Sequence, residues 1–425
     1  MSDAPAGASP ERPPEESRGW LARIAIDIRP LRESVAFRRL WIGQTISYLG
    51  STISLVAIPF QVYELTGSSL AVGLLGLAAL VPLVTVPVAA GAIADAVDRR
   101  RLILAAELGL IAVTAVNLGN ALLPHPHVWV PFVVTVLGTS CFSLARPATD
   151  ALMPRLVGAD RIAAAEALRS LYSNFGAVAG PAFGGILIAA IGVDGAYAVD
   201  LASYAAALVA VWLLPRMPPI GHVDAPSVRS IVDGLRYVVH RRFLLGVLLI
   251  DTIAMVFGMP SSLFPALGAD LGGGARTVGF LYAAPYAGAL VASLLSGWAT
   301  SMRRQGLGVT VAVVLWGAAI ATVGLVHSIG LVLVFLAAAG AADFVSAVLR
   351  SAILLVPAPD EMRGRISGIE YAQVASTPQL GNLEAGVVAA LASVRISIVS
   401  GGLACIAGAL LLTAFLPDLV RYRSR

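Results

Sequence analysis

Long apolar segments alternate with short polar or Gly/Pro-containing breaks along nearly the whole chain after its first 36 residues. About 20 apolar residues are enough for a helix to cross the hydrocarbon core of a bilayer. The breaks delimit spans at about 39–64, 69–94, 101–123, 128–154, 162–191, 195–214, 243–268, 276–300, 308–327, 330–356, 366–392 and 396–416. The pattern therefore predicts an all-α membrane protein with twelve transmembrane helices.

These spans fall into two sets of six that resemble each other weakly. The segment "VGLL" at 72–75 matches "VGFL" at 278–281, and Gly91 matches Gly297 at the same offset. Two parallel six-helix pseudo-repeats of this kind place a substrate path at the interface between the halves. The predicted divisions are a cytoplasmic disordered tail and juxtamembrane segment (1–36), an N-terminal bundle (37–215), a cytoplasmic linker (216–242), a C-terminal bundle (243–416) and a cytoplasmic tail (417–425).

The linker contains a segment in which apolar residues recur every three or four positions. Val228, Ile231, Val232 and Leu235 alternate there with charged residues. The spacing fits an amphipathic helix on the cytoplasmic membrane surface. A linker without regular structure is an equally good interpretation.

The distribution of charged residues predicts the orientation of the spans in the membrane. Only 13% of the residues are charged, the mean hydropathy is +0.84, and every basic residue other than histidine is an arginine. The arginines gather at one set of span ends, while the other set carries only Arg276 and Arg395. The cytoplasmic loops of membrane proteins carry an excess of arginine and lysine. We therefore expect both termini in the cytoplasm.

The segment "GAVAGPAFGG" at 176–185 concentrates glycine in the fifth span. Gly176, Gly180 and Gly184 are spaced four residues apart and line one helix face, and Gly185 follows directly. Small residues on such a face let two helix backbones touch in lipid. Pro181 removes a backbone hydrogen bond and can bend the helix.

The turn "GAIADAVDRRRL" at 91–102 resembles the signature loop of the major facilitator superfamily. Four positions match that pattern: Gly91, Asp95, Arg99 and Arg100. Ala96 and Asp98 depart from it, standing where the family usually has a base and a glycine. The resemblance implies a latch between the two halves, with Asp150 as the fourth-helix acid that pairs with a loop arginine. The alternative is that these arginines only anchor the topology.

The fifth-span glycines also resemble the helix motif of the superfamily's antiporters, with Ala167 in place of one further glycine. Longer segments are similar to its enterobactin (siderophore) exporter-like branch, namely 39–51, 63–76, 342–370 and 380–390. The resemblance implies siderophore export by proton antiport through alternating access, in a bacterial inner membrane. The alternative is a multidrug or macrolide efflux pump of the same superfamily.

Charged residues inside spans are costly and usually functional. The candidate substrate and proton pathway comprises Asp251, Asp343, Arg350, Arg146 and Glu384, with Gln44, Tyr48, Tyr282 and Tyr286 as uncharged members. Asp251 has no base within one helix turn, which makes it the candidate proton carrier. Arg146 and Arg350 would attract an anionic substrate, and Asp343 would orient Arg350. The alternative is a structural ion-pair network.

Other function classes find little support. The chain has no nucleophile elbow, His/Asp dyad or phosphate-binding glycine loop, so we expect no enzyme. The five histidines and two cysteines lack metal-ligand spacing. We expect no cofactor besides a proton gradient, a small-molecule substrate and the lipid bilayer as partners, no nucleic acid, and a monomer. A receptor that no longer transports is disfavoured by the signature loop.

Overall fold

The protein is described by a computed structural model over residues 27–217, 228–297 and 302–422. Within these ranges the regular secondary structure is entirely helical. The side chain of Asp95 and those of residues 228–233 lie outside the described part, as do residues 1–26 of the predicted tail.

The long helices are numbered in chain order, so that their numbers match the predicted spans. In the amino-terminal half they are α1 (Val35–Thr66), α2 (Ser69–Ala96), α3 (Arg99–Ala121), α4 (Trp129–Leu156), and α5 (162–191) and α6 (193–212), the two parts of Ile162–Trp212. In the carboxy-terminal half they are α7 (Arg242–Phe257), α8 (Ala275–Leu295), α9 (Gln305–Leu325), α10 (Ile329–Leu355), α11 (Asp360–Leu391) and α12 (Val394–Phe415). Short helices cover Arg29–Glu33, Val228–Val239, Phe264–Asp270 and Pro417–Arg421.

Ten helical segments of the described chain are long and apolar enough to cross a membrane. One of them contains both α5 and α6, which are separated by the non-helical backbone of Gly192, with φ +79°. α11 is 32 residues long but too polar to be among the ten. Counting α5 and α6 separately and adding α11 gives twelve crossings, whereas length and composition alone support ten.

The seventh predicted span is interrupted, which differs from the sequence-based prediction. α7 ends at Phe257, a 3-10 turn covers Ser261–Leu263, and the short helix Phe264–Asp270 follows. Pro260 has no backbone N–H to continue the helix. Asn382 of α11 satisfies the interrupted backbone, since its Oδ1 accepts hydrogen bonds from Ser261 Oγ at 2.7 Å and Ser262 N at 3.0 Å.

Three glycines of the fifth span hold α5 against α1, as the spacing predicts. A Cβ at Gly180 would lie 2.6 Å from the Cβ of Thr52, and a Cβ at Gly184 would lie 3.1 Å from the Cα of Ile53. A Cβ at Gly176 would lie 2.5 Å from the ring of Tyr48. The absence of side chains at these positions therefore sets the distance between the two helices.

The fourth glycine contacts the other half of the molecule. A Cβ at Gly185 would lie 2.7 Å from the Cα of Gly279 in α8. Likewise, a Cβ at Gly73 in α2 would lie 3.3 Å from the Cα of Gly386 in α11. Gly73 and Gly279 are the equivalent glycines of the "VGLL" and "VGFL" segments. The internal repeat thus marks two backbone-to-backbone contacts between the halves.

These contacts lie near the arginine-poor ends of the helices, where the halves also share one apolar core. Ile53 and Ile188 of the amino-terminal half belong there to the same buried cluster as Leu263, Phe264 and Val278. At the arginine-rich ends, a separate cluster contains residues of the amino-terminal half alone, among them Phe37, Leu40, Ile103 and Leu152. The buried apolar contact between the halves therefore lies on the arginine-poor side.

The linker segment forms a helix, Val228–Val239, and so one of the two interpretations of its sequence is confirmed. A Cβ at Gly234 would lie 3.1 Å from Ile369 of α11, and Val238 is fully buried in the core of the carboxy-terminal half. The helix thus packs against the beginning of α11. Its contact with a membrane surface stays a prediction.

Gly279→Ala should destabilise the closed arrangement of the arginine-poor side. The new Cβ would meet the backbone of Pro181 and Gly185, which cannot rotate away, and overpacking of this kind costs about 1–3 kcal/mol. Spin labels at Leu123 and Leu331, on the arginine-poor ends of the two halves, should show longer distances in the variant. Gly119→Ala is the matched control, because a Cβ there meets nothing within 4 Å. Equal distance distributions in the two variants would contradict this role of Gly279.

Candidate functional site

The signature loop ties the beginning of α3 to the ends of two neighbouring helices. Asp98 caps α3, since its Oδ1 accepts a hydrogen bond from the backbone N–H of Arg100 at 2.9 Å. The side chain of Arg99 donates to the carbonyl of Ala151 in α4 at 3.3 Å, and that of Arg100 donates to the carbonyl of Val211 in α6 at 3.2 Å. Arginine is well placed at such carbonyls because a helix carboxyl end carries partial negative charge.

These hydrogen bonds lie inside the amino-terminal half, so they do not themselves join the two halves. Asp150, expected to pair with a loop arginine, instead has its ion pair with Arg146 of its own helix, at 3.8 Å between Nε and Oδ2. Gly91 lies in the last turns of α2, and the side chain of Asp95 is outside the described part. The latch between the halves stays a prediction. The capping role of Asp98 could have been found from an acid directly before a helix start.

Three charged side chains meet between α7 and α10. Arg350 Nη1 lies 2.7 Å from Asp251 Oδ1 and 3.8 Å from Asp343 Oδ1. The same nitrogen donates a hydrogen bond to Ser346 Oγ at 3.0 Å. The side chains of Arg350 and Asp251 are 8% and 5% exposed, whereas that of Asp343 is 36% exposed. The structure thus contains one guanidinium shared by two carboxylates, of which one is buried and one is accessible.

This geometry corrects the expectation that Asp251 stands alone. It has no base on its own helix, but Arg350 of α10 is its close partner. Asp343, expected to orient Arg350, lies more than 1 Å farther from it than Asp251 does. Arg350 is also buried and paired, so it does not offer a free charge to a substrate in this conformation. A contact between helices almost 100 residues apart in the chain cannot be seen in sequence spacing.

Gln373 of α11 is a member of this site that sequence analysis missed. Its Nε2 donates to Asp251 Oδ2 at 3.1 Å, to Thr252 Oγ1 at 3.0 Å and to the carbonyl of Leu248 at 2.6 Å. Glu370, one turn earlier, accepts a hydrogen bond from Ser351 Oγ at 2.6 Å. α11 therefore contributes a polar side chain to the buried carboxylate of α7.

Arg146 of the amino-terminal half lies among aromatic side chains of both halves. The guanidinium of Arg146 lies over the ring of Tyr371 of α11, 4.8 Å from its centroid, and the arginine side chain is 41% exposed. Tyr48 of α1 is half-buried beside Tyr172, with 6.1 Å between ring centroids. Tyr286 of α8 is exposed. Tyr371 had no signal in the sequence, because its partner is on α4.

Three predicted pathway residues lie away from the charged cluster of α7 and α10. Tyr282 is buried, and its hydroxyl donates to the carbonyl of Ser261 at 2.9 Å, so it supports the break after α7. Gln44 lies close to Glu107 of α3 within the amino-terminal bundle. Glu384 is half-buried in the arginine-poor part of α11. In the described residues no group of three His, Cys, Asp or Glu side chains could hold a metal ion.

The fold agrees with comparisons to known proteins. A family profile described as "Transmembrane secretion effector" matches residues 26–421. The chain belongs to this family. It is a transporter-family member with the fold of the major facilitator superfamily, as the loop motif predicts.

The relatives include exporters that align with this chain along nearly their full length. Enterobactin exporter EntS of Citrobacter koseri is 29% identical over 411 residues, covering 96% of this chain and 97% of the relative. The EntS protein of Escherichia coli O139:H28 has the same identity and coverage.

Solved structures support the fold alone. A POT family transporter in complex with 5-aminolevulinic acid has a TM-score of 0.72 at 12% identity, covering 91% of this chain and 97% of that one. A bacterial homolog of the human lysosomal transporter Spinster, in an inward-facing and unoccupied conformation, has a TM-score of 0.67 at 15% identity, covering 92% and 97%.

Arg350→Ala should destabilise the protein strongly, because it leaves the Asp251 carboxylate buried without its cation. Removing one partner of a buried ion pair costs about 3–5 kcal/mol. Denaturant unfolding of the purified protein in detergent measures this loss. The double variant Asp251→Leu/Arg350→Leu should lose less than Arg350→Ala alone, because the buried carboxylate is removed together with its cation and the remaining Asp343 is partly exposed.

Arg363→Ala is the control for this measurement. Arg363 pairs with Asp360 at 2.7 Å between exposed side chains, and such a pair contributes at most about 1 kcal/mol. Similar losses for Arg350→Ala and Arg363→Ala would show that the buried pair is not a strong constraint on the fold.

Proposed function

We propose that this protein exports a small anionic organic solute, a catechol-type siderophore, by proton antiport and alternating access. The observation that carries the proposal is the exposed guanidinium of Arg146 among aromatic rings in the space between the halves. Similarity to enterobactin exporters over 96% of the chain supports a siderophore as the substrate.

The chemistry of the cavity suits an aromatic anion. Arg146 already binds the face of Tyr371, and an arginine held by a ring can exchange that contact for another aromatic or anionic group. Tyr48 and Tyr286 offer further rings for stacking, and their hydroxyls can hydrogen-bond a catechol oxygen. A substrate entering here would displace Tyr371 from Arg146 rather than bind Arg350.

The membrane arrangement follows from the arginine distribution. With the arginine-rich side in the cytoplasm, both termini are cytoplasmic and the cavity is open to the cytoplasm. The closed glycine contacts then face outwards. We place the protein in the bacterial inner membrane as a monomer that needs no cofactor besides the proton gradient.

The charge count at α7 and α10 suits proton coupling. Two carboxylates face one guanidinium, so a single proton on one carboxylate leaves the group neutral. Asp343 is the better carrier, because it is more exposed and farther from Arg350 than Asp251 is. Asp251 then acts as the fixed partner of Arg350.

Expression of this chain in an Escherichia coli strain without its own enterobactin exporter should restore enterobactin to the medium under iron limitation. Arg146→Ala should reduce secretion, because the exposed cation of the cavity is lost. Arg32→Ala, an exposed arginine of the short helix Arg29–Glu33, is the control and should leave secretion unchanged. Unchanged enterobactin in the medium together with increased resistance to macrolides or other drugs would instead favour the efflux-pump alternative.

Asp343→Asn should abolish enterobactin transport driven by a pH gradient in proteoliposomes, because the accessible carboxylate that takes up the proton is gone. Exchange of substrate without a gradient should continue, and Asp343→Glu should keep the coupling. Asp251→Asn should mainly lower thermal stability. Gradient-driven transport by Asp343→Asn at the wild-type rate would assign the proton to another group.

A further inference from the structure

A second group of buried carboxylates lies in the amino-terminal half, between α1, α3 and α6. Asp200 of α6 is 1% exposed and Glu107 of α3 is 5% exposed. Both carboxyl groups face α1, Asp200 at Ser54 and Glu107 close to Gln44, and they belong neither to the signature loop nor to the charged cluster of α7 and α10. Neither residue belongs to the predicted substrate and proton pathway.

Asp200 is held by hydroxyl groups. Ser54 of α1 donates a short hydrogen bond to its Oδ2. Ser203, one turn along α6, contacts Oδ1 at 3.3 Å while its hydroxyl also bonds the carbonyl of Asp200 at 2.7 Å. Gly50 lets this group approach α1, because a Cβ there would lie 2.8 Å from Asp200 Oδ1. The site is therefore built into the contact between α1 and α6.

Glu107 is incompletely satisfied. Gln44 of α1 lies close to its carboxyl group, but Oε2 is buried and has no hydrogen-bond partner. A buried acceptor without a partner is unfavourable and uncommon in folded proteins. The neutral carboxylic acid turns one oxygen into a donor and removes the charge, which lowers this cost.

No cation balances either acid. Among the described residues, neither Asp200 nor Glu107 forms an ion pair with an arginine. The titratable groups that face them are Tyr197 and Tyr204 of α6 and Cys141 of α4, and α1 contributes only the uncharged Ser54 and Gln44. All of these neighbours are neutral near pH 7. This distinguishes the group from the one around Arg350.

Two buried carboxylates without a cation are unfavourable as two negative charges. Burial of an unpaired ion is strongly unfavourable, and a second like charge nearby adds to that cost. Because the described protein groups around the pair supply no compensating charge, the ligand that fits the pair is a proton. Ser54, Ser203 and Gln44 can hydrogen-bond either the neutral or the ionised carboxyl group.

Polar side chains continue from this pair towards the arginine-poor side. Tyr197 lies one turn before Asp200 on α6, and its hydroxyl donates to Gln61 Oε1 of α1 at 2.9 Å. Asn117 of α3 is buried beside Tyr197, and its Oδ1 has no partner. Hydroxyl and amide groups thus follow the acids through an otherwise apolar bundle.

We propose that Asp200 and Glu107 form a proton-binding site in the amino-terminal half, separate from the Asp251, Asp343 and Arg350 cluster. The site holds a proton in the conformation described here. In an antiporter it gives α1 and α6 a means to respond to pH, a step that rests on the proposed function.

The experiment uses the full-length protein in lipid bilayers and infrared absorption of the carboxyl C=O stretch as the pH is raised. The wild type should keep a protonated-carboxyl band at pH values where exposed carboxyl groups have lost their protons. Asp200→Asn and Glu107→Gln should each remove or shift this band. Glu64→Gln changes an exposed acid of α1 and should leave it unchanged. The amide variants keep the shape and hydrogen-bonding capacity of the side chains, so circular dichroism should confirm that they fold.

Two results would overturn the proposal. One is a band that survives in both Asp200→Asn and Glu107→Gln. The other is a band that disappears at constant pH when sodium replaces choline, because the site would then bind a metal cation.

The same spectra separate this inference from the proposed function. If the spectra show a proton at Asp200 and Glu107 but the protein shows no gradient-driven transport, the proton-binding site is supported and the proposed antiport is rejected. In an active antiporter, Asp200→Asn should cause a loss of gradient-driven transport while exchange continues.

Discussion

Backbone-to-backbone contact between the two halves is the constraint on which the rest of the structure depends. Lipid offers no hydrophobic force to join helices, so their association depends on close packing. Gly185 meets Gly279, and Gly73 approaches Gly386, at distances that leave no room for a Cβ. Since these contacts close one side only, they also determine where the cavity opens. The glycine-rich segment of α5 therefore has two separate roles. Three of its glycines hold α1 within a half, and the fourth contacts the other half.

The sequence predicted what depends on composition and local spacing. Span positions, the break at Gly192 and the glycine face of α5 all follow from residues close together in the chain, whereas the helix of the linker was one of two equally good interpretations. The interruption after α7 was missed because an apolar run continues through Pro260, while the side chain that supports the break, Asn382, comes more than 100 residues later. The pairing of Asp251 with Arg350 and that of Arg146 with Tyr371 were missed for the same reason.

The buried carboxylates of the two halves have different surroundings, although the helices of the halves are related by the internal repeat. In the carboxy-terminal half an arginine neutralises Asp251 and lies near Asp343. In the amino-terminal half Asp200 and Glu107 have neutral neighbours, and Arg146 pairs instead with Asp150 and Tyr371. Internal repeats preserve backbone positions such as Gly73 and Gly279, because packing between halves requires them. The polar side chains are not bound by that requirement, so they can differ between the halves.

α11 connects the charged site to the contact between the halves. Along this one helix, Tyr371 meets Arg146 of the opposite half, Gln373 donates to Asp251, Asn382 supports the break after α7, and Gly386 packs on Gly73. Opening the arginine-poor side requires α11 to move away from α2, because the contact between Gly73 and Gly386 must separate. Gln373 and Gly386 lie on the same helix, so a movement of α11 at Gly386 reaches Gln373 to the extent that the helix does not bend at Pro378 between them. The hydrogen bond that stabilises the Asp251 carboxylate is thus tied to the state of the interface, and a change in either alters the free energy of the other.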